Sequence, residues 1–233
     1  MNKIRALKAA FPYTIPVFTG FTFLGIAYGI LMSSKGYGVI WTLLMSLFVF
    51  AGSSQYVAIT FLTSAFNPLN AFLMSLVINA RHIFYGISLL DKYKDMGKIK
   101  PYLIFGLCDE TFSIICSSEP PEGVSKKWFA FFITLLDHMY WVLGSVLGSL
   151  IGYMIPSSIE GLDFVLTALF VIIFVGHWKS KGNRKPAAIG VISSVISLLI
   201  FGPDNFIIPS MIAIIAVLTL GRKKLDPERI VEI

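Results

Sequence analysis

Residues 39–62 read VIWTLLMSLFVFAGSSQYVAITFL, a long run without a charged side chain. A helix rises about 1.5 Å per residue, so about twenty such residues cross a hydrocarbon layer about 30 Å thick. Hydrophobic residues make up 56% of the 233-residue chain and charged residues 14%, whereas a soluble domain has about 25% charged residues. The sequence therefore predicts an all-α, polytopic transmembrane helical bundle in a lipid bilayer.

Eight apolar segments succeed one another, and some are short or interrupted. The last two are short for complete spans, and Asp109-Glu110 interrupts the fourth. We therefore predict about seven spans, within a range of about six to eight, including broken or short helices. They form one transmembrane domain over 11–220, with cytoplasmic tails at 1–10 and 221–233. The segments are 11–32, 39–62, 68–90, 101–118, 128–154, 162–178, 186–201 and 205–220.

Positive charge borders the apolar segments instead of forming one continuous surface. The net charge is +6, and this distribution argues against nucleic acid as a partner. If all eight segments cross, most clusters fall on the cytoplasmic side, but the cluster at 92–100 does not. Cytoplasmic loops of membrane proteins carry an excess of Lys and Arg, a preference here called the charge rule. Either a segment near 92–100 does not cross the membrane, or Asp91 and Asp95 offset the charge rule there. The basic clusters lie at 1–8, 92–100, 126–127, 179–185 and 222–229.

Small and polar residues interrupt the second apolar segment at Ala51-Gly52-Ser53-Ser54-Gln55. One interpretation is close helix packing, with Gln55 hydrogen-bonded across the interface. The other is a helix break whose freed backbone groups bind the amine and carboxylate of a substrate. Five such residues together exceed what packing requires, so we favour a substrate-binding role for Gly52, Ser53, Ser54 and Gln55.

The third segment contains Asn79, Arg81 and His82 far from its ends. A charged side chain at this depth costs about 2.5–3.5 kcal/mol on insertion scales and requires compensation. Asn79 and His82 are three positions apart and share a helix face, which makes them candidate substrate-binding residues. Arg81 points elsewhere and needs an acidic partner. A purely structural ion pair inside the bundle is the alternative.

The candidate partners of Arg81 are Asp109 in the fourth segment and Asp137 in the fifth. Glu110 follows Asp109 about 100° further round a helix, so both cannot face one partner. Asp137 and His138 form an adjacent pair of an acid and an imidazole. Buried groups of this kind relay protons in many membrane proteins, which would suit coupling to a proton gradient. Relay and structural pairing both remain open.

Faint internal similarity connects the two halves of the chain. Residues 46–50 resemble 168–172, and Gly25-xxx-Gly29 resembles Gly148-xxx-Gly152. Transporters are commonly built from such repeats, with the substrate site at the repeat interface. Chance similarity between apolar segments explains the same pattern.

Sequence motifs of enzymes are absent. The chain has no GxxxxGK[ST] loop, no HExxH motif and no GxSxG elbow, and its three histidines are scattered. We therefore expect neither enzymatic activity nor a cofactor or metal. A channel and a non-transporting membrane scaffold remain alternatives to a transporter.

Three motifs occur in order along the chain: 50–58 (FAGSSQYVA), 79–86 (NARHIFYG) and 109–112 (DETF). Together they resemble the AzlC family. The resemblance implies the large subunit of a permease that exports branched-chain amino acids from bacteria across the cytoplasmic membrane. It also implies a small hydrophobic AzlD-type membrane subunit as partner. Within this picture, Arg81 paired with Asp109 or Asp137 would be an ion pair that breaks and re-forms during transport.

Overall fold

A computed structural model describes residues 3–63, 67–154, 184–202 and 206–221, with the single positions 167, 171, 174, 175 and 178. Every regular element in these residues is a helix, which confirms the all-α class. The chain divides into two compact units, residues 1–163 and 164–233. Most of the predicted segment 162–178, the turn at 203–205 and nearly all of the C-terminal tail lie outside the described residues.

The helices differ widely in length. By length and composition the helices Lys3–Ser34, Lys126–Met154 and Arg184–Phe201 can each cross a membrane, and Pro68–Leu76 with Arg81–Leu89 can do so as a pair bent by 44°. The count of about seven spans therefore stays a prediction. The first unit contains α1 (Lys3–Ser34), α2 (Val39–Phe48), α3 (Gly52–Thr63), α4 (Pro68–Asn79), α5 (Arg81–Leu89), α6 (Lys100–Phe105), α7 (Asp109–Ser117) and α8 (Lys126–Met154), and the second contains α9 (Arg184–Phe201) and α10 (Ile207–Leu220), which pack together.

Helices α1 and α8 run parallel and form the frame of the first unit, and small residues bring the two backbones together. A Cβ atom added at Gly29 would overlap the Ser145 carbonyl, and one added at Gly148 would overlap that of Ile26. Glycine is therefore required for this close approach. The similar glycine motifs of α1 and α8 thus have a packing explanation, and the internal repeat stays a prediction.

The second apolar segment turns back instead of running through the unit. Helix α2 ends at Phe48, and Phe50 adopts a φ of 39°, a conformation that bulky residues rarely adopt. Helix α3 then returns, and the Tyr37 hydroxyl donates to the Leu62 carbonyl at 2.7 Å. Both ends of segment 39–62 therefore lie beside the C-terminal end of α1. Helices α2 and α3 form a hairpin, here called the first hairpin.

Helices α6 and α7 form a second hairpin that enters from the opposite end of the unit. At the C-terminal end of α7, Lys92 Nζ donates to the Ile115 carbonyl at 2.8 Å. Near the start of α1, Arg5 Nη2 donates to the Glu122 carbonyl at 3.3 Å. The loop after α5, the loop before α8 and the beginning of α1 therefore share one end, here called the basic end.

The two hairpins account for the basic cluster at 92–100. Because segments 39–62 and 101–118 both turn back, the cluster lies at the same end as the basic residues of 3–8 and 126–127. Neither of these two segments runs through the unit from one end to the other. The first alternative considered above, a segment that fails to cross, therefore agrees with the charge rule.

Site-directed labelling tests this arrangement in membranes. In a Cys108→Ser, Cys116→Ser background, we expect Lys35→Cys and Thr63→Cys to react with an impermeant maleimide from one side. Lys94→Cys should react only from the other side, because α4 and α5 connect the two ends. Labelling of positions 35 and 63 from opposite sides would show that segment 39–62 crosses.

Candidate functional site

Arg81 connects the tips of both hairpins. It lies at the bend where α5 begins, and its Nη1 contacts Asp109 Oδ2 at 2.5 Å. Its Nη2 donates to Ser53 Oγ at 2.8 Å. Asp109 is the first residue of α7, and Ser53 is in the first turn of α3. One guanidinium therefore joins three interruptions that lie far apart in the sequence.

Of the two predicted acidic partners, Asp109 contacts Arg81. Its second carboxylate oxygen, Oδ1, accepts a hydrogen bond from the Tyr85 hydroxyl at 2.7 Å. Tyr85 is four residues after Arg81 and so lies on the same helix face. That spacing was a sequence signal for a role of Tyr85, and our sequence reasoning missed it.

Asn79 and His82 contact different hairpins. Asn79 Nδ2 donates to Ser54 Oγ at 2.9 Å, which ties the end of α4 to the first hairpin. His82 Nε2 lies 3.1 Å from the Leu107 carbonyl in the break of the second hairpin. Asn79 ends α4 and His82 lies in the first turn of α5, so their contacts place the bend of α4 and α5 between the hairpin tips.

The residues from Gly52 to Gln55 contact two different parts of the unit. Ser53 and Ser54 face Arg81 and Asn79, whereas Gln55 is fully buried against α8. Trp141 Nε1 donates to Gln55 Oε1 at 2.8 Å, and a Cβ at Gly52 would lie 3.0 Å from the same indole. The structure therefore separates Gln55 from the Arg81 contacts and makes it an anchor of α3 on α8.

Exchanging Trp141 for phenylalanine tests this anchor. The exchange leaves a buried amide oxygen without its donor, which costs about 1–3 kcal/mol. We expect Trp141→Phe to lower the midpoint of thermal unfolding in detergent. Trp41→Phe is the matched control, since Trp41 is 60% exposed on α2. Equal midpoints for the two variants would contradict the anchoring role.

Asp137 and His138 link the second hairpin to α8 and do not contact Arg81. Asp137 is fully buried, and its Oδ2 accepts a hydrogen bond from Thr111 Oγ1 of α7 at 2.8 Å. Its Oδ1 has no hydrogen-bond partner among the described residues. The Tyr102 hydroxyl of α6 lies 3.1 Å from His138 Nδ1. Sequence reasoning found the acid and the imidazole but missed both hydroxyl partners.

Glu110 lies in the first turn of α7 beside Asp109. The two side chains diverge by about 100° round the helix, so Glu110 is directed away from the Arg81 contact. The N-terminal end of a helix carries a partial positive charge that favours carboxylates. Both acids therefore lie where the backbone of α7 stabilises negative charge.

The hairpin tips also offer backbone donors. Helix α3 begins after Phe50, and α7 begins after Cys108, whose backbone is extended. The first N–H groups of a helix have no partner within it, so broken helices bind anionic groups in membrane proteins. A cation, a carboxylate, an amide and hydroxyl groups thus meet where α3 and α7 begin.

These features define a polytopic helical membrane protein whose broken helices meet at a polar centre. The sequence model of the family described as "AzlC protein" matches residues 16–155. The chain belongs to the AzlC family. No solved structure matches it significantly.

Named relatives agree with this assignment. The chain is 53% identical over 221 residues to the "Branched-chain amino acid transport protein AzlC" of Bacillus subtilis, covering 95% of this chain and 87% of the relative. It is 42% identical to an "Uncharacterized membrane protein" of Haemophilus influenzae, covering 95% and 91%. It is 26% identical to the "Inner membrane protein YgaZ" of Escherichia coli, covering 78% of each chain.

Proposed function

We propose that this chain exports branched-chain amino acids across the bacterial cytoplasmic membrane as the large subunit of a two-component permease. A small hydrophobic AzlD-type subunit would be the second component. The name of the Bacillus subtilis relative supports the substrate class. The sequence has no P-loop with which this chain itself could hydrolyse ATP, and we propose that transport is secondary active.

The meeting of three helix interruptions at Arg81 carries the proposal. A zwitterionic amino acid needs donors for its carboxylate and acceptors for its ammonium. Arg81 and Ser53, which already share a hydrogen bond at 2.8 Å, supply the donors, together with the backbone of Gly52 and the Ser54 hydroxyl. Asp109 and the amide oxygen of Asn79 supply the acceptors, and His82 holds the break of the second hairpin beside them.

Transport then follows from exchange of partners at Arg81. The substrate carboxylate competes with Asp109 for the guanidinium, and the freed Asp109 carboxylate takes the ammonium. Because Asp109 belongs to the second hairpin and Ser53 to the first, breaking either contact releases one hairpin tip. The hairpins enter from opposite ends, so each release opens the centre toward a different side of the membrane.

We assign proton coupling to Asp137 and His138, together with Glu110 in the first turn of α7. Asp137 combines complete burial with a carboxylate oxygen that lacks a hydrogen-bond partner among the described residues. A proton on this carboxyl removes a charge that is costly inside a membrane. The Thr111 contact connects this change to the second hairpin.

Leucine counterflow in proteoliposomes containing the chain and its partner subunit tests the proposal. We expect uptake of labelled leucine that saturates and is accelerated by internal leucine. A channel would show flux without saturation or counterflow, and a scaffold would show no flux, so either result would contradict the proposal.

Asn79→Ala should fold normally and slow the exchange, because it removes the Ser54 contact and an acceptor for the ammonium.

A further inference from the structure

A charged cavity of about 540 Å³ lies at the basic end of the first unit. It is formed between the loop after α5 and the loop that joins α7 to α8. Its volume falls within the range of about 300–1,000 Å³ that is typical of small-molecule sites. The charged residues of its lining are Asp91, Lys92, Asp95, Glu119, Lys126 and Lys127.

Three of these charges, two lysines and one glutamate, form one ion-pair group. Glu119 accepts contacts from Lys126 Nζ at 3.2 Å and from Lys92 Nζ at 3.4 Å. Hydrogen bonds from Lys126 and then Lys92 hold the pKa of Glu119 below its ordinary value, so it stays ionised. This group fastens the loop after α7 to the neighbouring helices and leaves the other three charges of the cavity for a ligand.

The side chains of Asp91, Asp95 and Lys127 form no hydrogen bond or ion pair with any other residue that the structure describes. Two carboxylates and one ammonium in a single cavity are complementary to a zwitterion. The carboxylates suit the ligand's ammonium, and Lys127 suits its carboxylate. An anionic headgroup would instead be repelled by the two aspartates.

The inner wall of the cavity is apolar. Met96, Ile115, Phe129 and Ala130 line it, and each is at most 7% exposed. They belong to a larger buried cluster at this end of the unit. An aliphatic side chain placed against this wall would leave water, at about 0.8 kcal/mol for each buried CH₂ group. Charges of both signs above an apolar wall suit an apolar amino acid.

We infer that this cavity is an entry site, which binds a branched-chain amino acid at the basic end before the amino acid reaches Arg81. The inference rests on the proposed function. Helix α7 connects the two places, because Ile115 lines the cavity and Asp109 at the other end of the same helix contacts Arg81. Six residues of helix separate them by about 9 Å along its axis.

Sided transport measurements with Asp95→Asn and Lys127→Gln test the entry site. Inverted membrane vesicles present the basic end to the medium if this end is cytoplasmic, and right-side-out vesicles present the other end. In inverted vesicles we expect each variant to raise the half-saturating concentration of leucine about three- to fivefold, because each removes one charge contact. The maximal rate in inverted vesicles and the half-saturating concentration in right-side-out vesicles should stay parental, and detailed balance then lowers the maximal rate in right-side-out vesicles by the same factor.

Matched controls are Lys98→Gln and Glu122→Gln, which change exposed charges in the same two loops outside the cavity. An unchanged half-saturating concentration in the test variants would overturn the entry site, as would an equal rise from both sides or an equal rise in the controls. In each of these three outcomes, saturable leucine counterflow by the parent would still support the proposed function. A parent without leucine counterflow contradicts the proposed function, and the entry site with it.

Discussion

Replacing Arg81 with glutamine is expected to lower the rate of leucine counterflow about a hundredfold. The exchange removes the ion pair with Asp109 and the hydrogen bond to Ser53. A hydrogen bond to a charged group contributes about 1.5–3 kcal/mol, and each 1.4 kcal/mol corresponds to about a factor of ten. Losing part of the free energy of two such contacts accounts for the expected hundredfold decrease in the rate of counterflow. Counterflow into proteoliposomes at equal amounts of folded protein measures it.

The double variant Arg81→Gln, Asp109→Asn separates transport from structural pairing. Removal of Arg81 alone leaves an uncompensated carboxylate, whereas the double variant is neutral. If the pair only stabilises the bundle, the double variant should recover both thermal stability and counterflow. We expect it to recover stability and remain inactive, because the donor for the substrate carboxylate is gone. Lys94→Gln, in the loop after α5, is the charge control and should transport at the parental rate.

Gly29→Ala is expected to cause the largest loss of folded protein. Its new Cβ would overlap the Ser145 carbonyl and the Ser149 amide, and these backbone atoms of α8 cannot rotate away. Overpacking of this kind costs about 1–3 kcal/mol and occasionally more. We therefore expect a midpoint of thermal unfolding several degrees lower and a smaller folded fraction on size-exclusion chromatography.

Gly20→Ala is the matched control on the same helix, because nothing lies within 4 Å of a Cβ added there. Alanine is favoured over glycine inside a helix by about 0.5–1 kcal/mol, so this variant should unfold at the parental temperature or above. Gly148→Ala should behave like Gly29→Ala, since it meets the Ile26 carbonyl from the other side of the interface. Equal midpoints for Gly20→Ala and Gly29→Ala would contradict the packing of α1 against α8.

The composition of the candidate site could be predicted from the sequence. Polar residues inside a membrane are expensive, so Ser53, Asn79, Arg81 and Asp109 were conspicuous in their apolar segments. The requirement for an acidic partner of Arg81 followed from the same cost. The structure brings these four residues together at 2.5–2.9 Å through direct contacts and the Asn79–Ser54 bond.

The sequence could not show that segments 39–62 and 101–118 turn back and form hairpins. Segment 39–62 is long enough to span, and nothing in the length of an apolar run shows whether it crosses or returns. The decision lies in tertiary contacts, such as the Tyr37 bond to Leu62 and the Lys92 bond to Ile115. The misplaced basic cluster at 92–100 was the sequence signal that some segment turns back.

The division of roles within the polar clusters also depends on tertiary packing. Gln55 follows directly after Ser53 and Ser54, yet its amide faces Trp141 on α8. Local spacing could not choose between Asp109 and Asp137, because both are plausible neighbours of Arg81 in a bundle of unknown order. The structure gives Asp109 to Arg81 and Asp137 to Thr111, so the two carboxylates lie in separate networks.

Equilibrium binding of labelled leucine to the purified protein, compared between the parent and the Arg81→Gln, Asp109→Asn variant, tests the central claim most directly. The claim is that the amino acid binds where the two hairpin tips meet the bend of α4 and α5. We expect saturable binding by the parent and at least about a hundredfold weaker binding by the folded variant. Parental affinity in the folded variant would contradict the claim.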